Sequence, residues 1–149
     1  MHFTHEVSNV NPNIMKVSIS QMKGISESLV QALKTKGIDN SDELLEVAKT
    51  AKGRKTIADE AGVPTSDILE LVNRADLSRI KGVGRVISDL LEEAGVDTVK
   101  ELARRSPQNL HAKMLEINQS KQLTSRPPTL AQIEDFVSQA KELPPMVEH

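Results

Sequence analysis

The residues of this chain whose types and spacing best suit a chemical task form the run Lys81-Gly82-Val83-Gly84-Arg85. Glycine adopts positive φ without steric cost, and it has no Cβ to hold a ligand away from the backbone. A helix that begins just after Gly84 leaves its first backbone N–H groups without intrahelical partners. Such groups favour an anion, and the two flanking cations add to that attraction. The run therefore predicts contact with a phosphate or a similar anion.

Helical patterns precede and follow the glycines. A short helix is predicted from Asp76 to Ile80, with Leu77 on its apolar side. A second helix is predicted from about Arg85 to Ala94, and Gly95 then stands where a glycine usually ends a helix. Its apolar stripe, at helical spacing, consists of Val86, Ile87, Leu90, Leu91 and Ala94. The run is therefore expected to lie in a tight glycine hairpin between two helices.

The same pattern occurs earlier in the chain. Shifted by 58 residues, the segment from Ile19 to Asp39 aligns with the segment from Leu77 to Asp97 without a gap. At the turn, the matched pairs are Lys23 with Lys81, Gly24 with Gly82, and Ser26 with Gly84. Self-similarity at a fixed period indicates repeated structural units. The chain is therefore predicted to contain two related hairpin units.

The composition favours an all-α fold. The chain has 149 residues, enough for a sizeable core, yet two phenylalanines are its only aromatic residues. The core must therefore be built from aliphatic side chains and methionine, and few stretches alternate as a strand would. The charge balance is slightly acidic, at −2, whereas proteins that bind nucleic acid are usually basic.

The chain contains no cysteine, which excludes disulfides and thiolate metal sites. It has no apolar run long enough to span a membrane and no leader-like start, so we expect a cytoplasmic protein with no membrane partner. The predicted organisation is a flexible arm over 1–17, a first and degenerate unit over 18–75, a second unit over 76–145 and a tail over 146–149.

Helix starts support this organisation. Asn40 with Glu43 and Thr98 with Glu101 form capping-box patterns 58 residues apart, and Thr129 with Gln132 forms a third. Ser106 followed by Pro107 predicts a further helix start. Serine is a common cap residue, and the first helical position does not need the backbone N–H that proline lacks. One apolar helix side is assigned to Leu44, Leu45, Val47, Ala48 and Ala51.

The last part of the first unit, which leads to the second unit, has two interpretations. It contains a basic run from Lys49 to Lys55, followed by a stretch from Thr56 to Val72 with the spacing of a helix-turn-helix. A helix that reads DNA usually offers basic or amide side chains to the bases, whereas this one offers Asp67 and Glu70. We therefore interpret the stretch as two packed helices that link the units, with sequence reading as the alternative.

Gly82-Val83-Gly84 resembles the signature of the helix-hairpin-helix motif. The order from Val72 to Gly84, then Ala94 to Ala103, then Pro107 to Leu110 resembles a bacterial family of unknown function, over roughly 19 to 143. The second unit also resembles the small helix-hairpin-helix domain that precedes RecA-type recombinase ATPases. These resemblances imply an all-α fold of tandem helix-hairpin-helix units with helical extensions, similar to the small helical bundles of SAM domains.

The helix-hairpin-helix resemblance implies weak, sequence-independent binding to the DNA or RNA backbone. In that family the backbone N–H groups after the hairpin face a phosphate, and paired hairpins often straddle a minor groove. The residues assigned this role are Lys81, Gly82, Val83, Gly84 and Arg85, with Lys23, Gly24 and Ser26 in the first unit. No organic cofactor is implied, but turn carbonyls in that family sometimes hold K⁺ or Na⁺, here those of Ile80 to Val83.

Several residues depart from the helix-hairpin-helix pattern. Ser26 replaces the second glycine of the first unit, and Val30 replaces a small residue. The acidic residues of the helix after the second hairpin, which repel phosphate, are Asp89, Glu92 and Glu93. The alternative function is therefore a protein-interaction or scaffold module that has lost nucleic-acid binding. The sequence does not predict an oligomeric state.

Nothing in the sequence predicts an enzyme. No serine, histidine and carboxylate form a nucleophile motif, and His2, His5 and His149 fall in the predicted arm and tail. His111 is interpreted as a surface or partly packed helix residue. The adjacent pairs Asp59-Glu60 and Glu92-Glu93 diverge by about 100° on a helix, so neither pair converges on one site.

Overall fold

The computed structural model describes residues 18–22 and 25–148 of the chain. Lys23, Gly24 and His149, together with the predicted arm over 1–17, lie outside the described residues. Within them the chain is all-α, as predicted, and its one β-type contact is an isolated bridge between Ser18 and Asn40. A short 3₁₀ turn occupies Ile19–Gln21. The helices that follow are α1 (Glu27–Thr35), α2 (Ser41–Ala48), α3 (Ala51–Ala61), α4 (Thr65–Leu77), α5 (Arg85–Glu93), α6 (Val99–Ala103), α7 (Pro107–Lys121) and α8 (Leu130–Glu142).

The predicted repeat is present in the backbone. Helices α1 and α5 have the same length and correspond at the 58-residue shift. Each ends at a left-handed glycine, with φ of 82° at Gly37 and 89° at Gly95. In each unit the next residue donates its N–H back into the helix, Ile38 to the Leu33 carbonyl and Val96 to the Leu91 carbonyl, at 2.9 and 2.8 Å. The two segments therefore share their helix ends as well as their sequence.

Two hydrophobic clusters form the core. The first extends from Ile19 to Ala75 and the second from Leu77 to Ala140. Helix α4 packs against α2 and α3 in the first cluster, whereas α8 packs against α6 and α7 in the second. Helix α4 contributes residues to both clusters, so one continuous helix joins the two halves of the chain.

The short helix predicted from Asp76 to Ile80 was wrong in its bounds. Helix α4 runs without a break to Leu77, and residues 78–80 form a turn in which the N–H of Ile80 donates to the Leu77 carbonyl. Ser78 helps to end the helix, since its hydroxyl donates to the Ala75 carbonyl at 2.6 Å.

A buried carboxylate fixes the end of α4. Asp76 is 2% exposed; its Oδ1 accepts from the Arg79 guanidinium at 2.7 Å and its Oδ2 accepts from the backbone N–H of Val99 at 2.8 Å. Arg79 also donates to the Pro144 carbonyl at 2.7 Å. The chain just before the glycine turn is thus tied to the start of α6 and to the segment after α8.

The predicted helix starts are confirmed, but the hydrogen bonds that the side chain three residues later was expected to return to the cap residue differ among them. Thr129 and Gln132 form the complete capping box, and Ser106 caps α7 with Pro107 at its first position. Asn40 and Thr98 each accept from the predicted backbone N–H. The Glu43 carboxylate, however, reaches the N–H of Asp39, one residue before the cap.

The apolar side assigned to residues 44–51 was partly wrong. Helix α2 ends at Ala48, and Thr50 caps a new helix by accepting from the Gly53 N–H at 3.0 Å. Val47 lies on the exposed side of α2 and is 46% exposed. The basic run covers the corner between α2 and α3 and the first turn of α3, and a Cβ built at Gly53 would overlap the backbone carbonyl oxygen of Val47.

The final residues pack instead of forming the predicted tail. Met146 and Val147 pack against the first hydrophobic cluster, and the N–H of Glu148 donates to the Lys49 carbonyl at 2.8 Å. The buried guanidinium of Arg54 donates to the Glu148 carbonyl as well as to the carbonyls that end α2. The chain thus returns to its first half.

We predict that Gly53→Ala lowers the free energy of unfolding by about 1–3 kcal/mol, because the added methyl group overpacks the corner between α2 and α3. Helix propensity alone predicts the opposite sign, an increase of about 1 kcal/mol in the free energy of unfolding, because alanine is a better helix former than glycine. Chemical denaturation measures the change. The control is Lys52→Ala, an exposed position in the same turn. A Gly53→Ala variant at least as stable as the native protein would contradict the packing.

Candidate anion-binding turn

The five predicted residues of the second unit lie together in a turn at the start of α5. Gly82 has φ of 98°, and the N–H of Val83 donates to the Ile80 carbonyl at 3.1 Å. The Val83 side chain is buried, so it anchors the turn in the second cluster. Gly84 is the cap residue, and α5 begins at Arg85. The chain therefore reverses at the glycines, as the sequence predicts.

The start of α5 leaves backbone donors open. Gly84 supplies no capping side chain, and the first turn of α5 has no acidic residue. The equivalent start of α1 differs, because the Ser26 hydroxyl accepts from the Leu29 N–H at 3.2 Å. The Ser26 hydroxyl oxygen therefore already accepts a hydrogen bond from its own helix. Among the described residues, the second unit is the better placed of the two to accept an outside anion.

Helix α8 braces the turn from one side. The Gln139 side chain accepts from the N–H of Lys81 at 2.8 Å and donates to the Lys81 carbonyl at 3.0 Å. Phe136 lies against Gly82, where an added Cβ would come within 3.0 Å of the ring. Sequence reasoning missed both residues, because Gln139 lies 58 positions further along and no local pattern marks it. The backbone amide of Lys81 is consequently not available to a ligand.

The brace also affects the expected cation site. Of the carbonyls from Ile80 to Val83, that of Ile80 accepts from Val83 and that of Lys81 accepts from Gln139. A groove of about 630 Å³ opens beside the turn, lined in part by Gln132, Asp135 and Phe136. No group of three or more histidine, aspartate or glutamate residues suited to a metal ion occurs in the described ranges.

The acidic residues of α5 are neutralised by cations from other helices. Arg74 of α4 contacts Asp89 and holds both oxygens of Glu92, at 2.9 and 3.0 Å. Lys121 of α7 contacts Glu93 at 2.7 Å. Burial lowers the pKa of Arg74, but its hydrogen bonds and the charges of Glu92 and Asp89 raise it by more, so the net pKa lies above the ordinary value. The repulsion of phosphate expected from these carboxylates is thereby offset.

The cations near the turn differ from those of the basic run. Lys81 and Arg85 are exposed and make no ion pair with any described residue. In the basic run, Lys49 pairs with Glu46, Lys55 pairs with Asp59, and Arg54 is buried. Two exposed, unpaired cations therefore lie at the turn, whereas Lys52 is the member of the basic run that is exposed and makes no ion pair with a described residue.

The remaining sequence candidates have structural roles. Gly62 has φ of 72° and separates α3 from α4, while Ile68 and Leu71 of the helix-turn-helix-like stretch are buried. The adjacent carboxylates Asp59 and Glu60 pair with different partners, Lys55 and Lys36. Their divergence agrees with the prediction from helix geometry.

We predict that Arg74→Met lowers the free energy of unfolding by about 3–5 kcal/mol, because it leaves the partly buried carboxylates of Asp89 and Glu92 without their main counter-charge. The matched control is Arg85→Met, an exposed position on α5, which we expect to change stability by less than about 0.5 kcal/mol. Chemical denaturation of both variants is the measurement. Equal effects would contradict the proposed neutralisation.

A second stability prediction concerns Asp97. Partial burial, together with the charges of Glu92 and Glu101, raises the pKa of this carboxyl above its ordinary value of 3.8, although Arg74 and Arg105 oppose the shift. The unfolded chain therefore ionises first, and ionisation of this group weakens the fold as the pH rises through the folded pKa. We expect Asp97→Asn to be more stable than the native protein at neutral pH.

The pH dependence checks the cause. The advantage of Asp97→Asn should disappear below pH 3.8, where the aspartate is protonated in both states. Thermal denaturation at a series of pH values measures this. An advantage that stays constant at all pH values would show that the raised pKa is not its source.

The fold and the turn together define a small all-α protein with an exposed glycine turn at the start of α5. The chain belongs to the family described as Domain of unknown function (DUF4332), which matches residues 23–143. Neither a curated protein nor a solved structure matches the chain. The predicted resemblance to a family of unknown function is thus confirmed. None of the described helices is long and apolar enough to cross a membrane.

Proposed function

We propose that the turn from Lys81 to Arg85 binds the phosphate backbone of nucleic acid without reading its sequence. The proposal rests on the resemblance of the turn to a helix-hairpin-helix, and no catalytic role is assigned to it. The observation that carries it is the open start of α5, where backbone N–H groups without a capping side chain lie beside Lys81 and Arg85, both exposed and without an ion pair to any described residue. We place this activity in the cytoplasm, and either DNA or RNA supplies the same phosphate chemistry.

The expected affinity is low. An anion at a helix N-terminus gains about 0.3–1 kcal/mol when exposed, and up to about 2 kcal/mol in favourable geometry. Hydrogen bonds to a charged phosphate are stronger than hydrogen bonds between neutral groups, so two or three of them increase the binding free energy further. With Lys81 and Arg85 as the two phosphate-neutralising cations, the logarithm of the binding constant should fall with the logarithm of salt at a slope of about −2.

The two units contribute unequally in this proposal. Ser26 already caps α1, so the first turn offers fewer donors than the second. The Arg74 pairings support the second turn, because they remove net negative charge from the helix that faces the phosphate. We therefore propose that one turn dominates binding, in contrast to the symmetric use of both turns that the repeat suggests.

We predict that Lys81→Glu/Arg85→Glu weakens binding to duplex DNA at least about tenfold at about 50 mM salt, because it reverses both charges beside the phosphate. Fluorescence anisotropy with a labelled duplex, and with a single-stranded RNA of equal length, is the measurement. The control Lys34→Glu/Lys113→Glu makes the same change in net charge at exposed positions of α1 and α7, outside the turn, and should bind within about twofold of the native protein. Equal loss in both variants, or no binding by the native protein, would contradict the proposal.

Gly84→Ala tests the backbone contact separately. No atom lies within 4 Å of a Cβ built at Gly84, and its φ of −93° suits any residue, so stability should be unchanged. The methyl group would nevertheless occupy the approach of a phosphate to the first N–H groups of α5. We expect DNA affinity to fall about threefold to tenfold, consistent with partial loss of these contacts. Unchanged affinity would mean that phosphates do not approach this glycine.

The second candidate function is a protein-interaction or scaffold module. The groove beside the turn favours it, since Gln132, Asp135 and Phe136 line it together with Lys81, and this mixed polar and apolar surface suits a peptide better than a phosphate. In that case the native protein binds neither nucleic acid.

A further inference from the structure

A second groove lies on the other side of α8, between α6 and the residues that follow α8. Its rim carries Lys100, Arg104 and Lys141, and its floor includes Ala103, Ala140 and Leu143. Its volume is about 280 Å³, the space of about nine water molecules at about 30 Å³ each. The groove is therefore large enough for a side chain and is bordered by positive charge.

The three cations of this groove have no carboxylate partner. Within the described residues, none of them makes an ion pair, and no carboxylate lines the groove. Several other basic side chains do pair, namely Lys36, Lys49, Lys55, Arg105, Lys113 and Lys121, but here three unpaired cations border one groove. An uncompensated positive groove on a chain of net charge −2 favours an acidic occupant with an apolar side chain.

The exposed face of α2 has the complementary character. Leu44, Leu45 and Ala48 bury the other side of this helix, whereas Glu43, Glu46 and Val47 face solvent. Val47 is 46% exposed, more than the other exposed large hydrophobic residues of the described chain. Glu46 lies 3.6 Å from Lys49 in an exposed pair, which contributes little. Glu43 accepts one backbone N–H and retains further acceptor capacity.

We infer that the α6–α8 groove of one molecule binds the α2 face of a second copy of this chain. The spacing agrees, because Glu43 and Glu46 are three residues apart on α2, Lys100 and Arg104 are four residues apart at the end of α6, and residues at either spacing lie about 5–6 Å apart on a helix surface. Val47 then contacts the apolar floor while the glutamates contact the cations. The inference is independent of the nucleic-acid proposal, since it uses neither Lys81 nor Arg85.

The contact joins two different surfaces, so it is heterologous. Each bound molecule still presents a free groove or a free face, and association therefore continues into rings or open chains. Because the contact is small and largely charged, we expect it to be weak and to be suppressed by salt. Another role for the three cations is to stabilise the carboxyl ends of α6 and α8 through the helix dipoles. That role affects stability and not molecular mass.

Sedimentation equilibrium from about 10 μM to about 1 mM, at low salt, tests the inference over the range expected of weak contacts. The native protein should show an average mass that rises with concentration. Lys100→Glu/Arg104→Glu and Glu43→Lys/Glu46→Lys should each remain monomeric, because each places like charges opposite each other. An equimolar mixture of the two variants should associate again, since every contact between unlike partners is then complementary.

The controls keep the test decisive. Lys34→Glu/Lys113→Glu changes the net charge equally and should associate as the native protein does, as should Lys81→Glu/Arg85→Glu. Circular dichroism checks folding, and Lys141→Glu replaces the groove variant if that variant does not fold. A native protein that stays monomeric throughout the range would overturn the inference. So would a folded pair of monomeric variants that do not associate when mixed.

Discussion

The glycine turn depends on helix α8, which is far from it in sequence. Gln139 pairs with both backbone groups of Lys81, and Phe136 lies against the face of Gly82 where a side chain would otherwise stand. A positive φ costs glycine little conformational free energy, but the turn around Gly82 has few hydrogen bonds of its own. The brace therefore fixes the direction in which α5 begins. The start of α5 beside this brace has no side-chain cap from the described residues.

Electrostatics explain how a slightly acidic chain can expose unpaired positive charge at the turn. The carboxylates of α5 are held by Arg74 and Lys121, which come from α4 and α7, and the cations at the turn make no ion pair with any described residue. Formal net charge does not capture this, because it weights a paired glutamate and an exposed lysine equally. The relevant quantity is the arrangement of charges around the start of α5 and not the net charge of −2.

The sequence predicted those features that are encoded locally. The all-α fold, the reversal at Gly82, the helix end at Gly95 and the cap at Thr129 each follow from residues within a few positions of one another. The shared pattern of the two units was also readable, since similar sequences make similar helix ends. These locally encoded features include the candidate turn from Lys81 to Arg85.

Features set by distant contacts could not be predicted. Nothing near Lys81 indicates that Gln139 will occupy its backbone groups. The split of α2 from α3 is a local event, since Thr50 accepts from the Gly53 N–H three residues later, but the helical periodicity did not indicate it and placed the exposed Val47 on the apolar side. The residues after 145 were expected to form a tail, yet the buried Arg54 donates to the Glu148 carbonyl. At Lys81 and at Glu148 a long-range partner, absent from any local window, decided the outcome.

The most direct test of the central claim follows the backbone amides while nucleic acid is added. The ¹H–¹⁵N resonances of a labelled native protein, titrated with duplex DNA at low salt, report each N–H group separately. The account predicts the largest shifts at Gly84, Arg85 and Val86, with small shifts at Lys81, whose N–H is occupied, and at Leu29, which Ser26 already caps. Shifts concentrated elsewhere, or equal at Leu29 and Arg85, would contradict it.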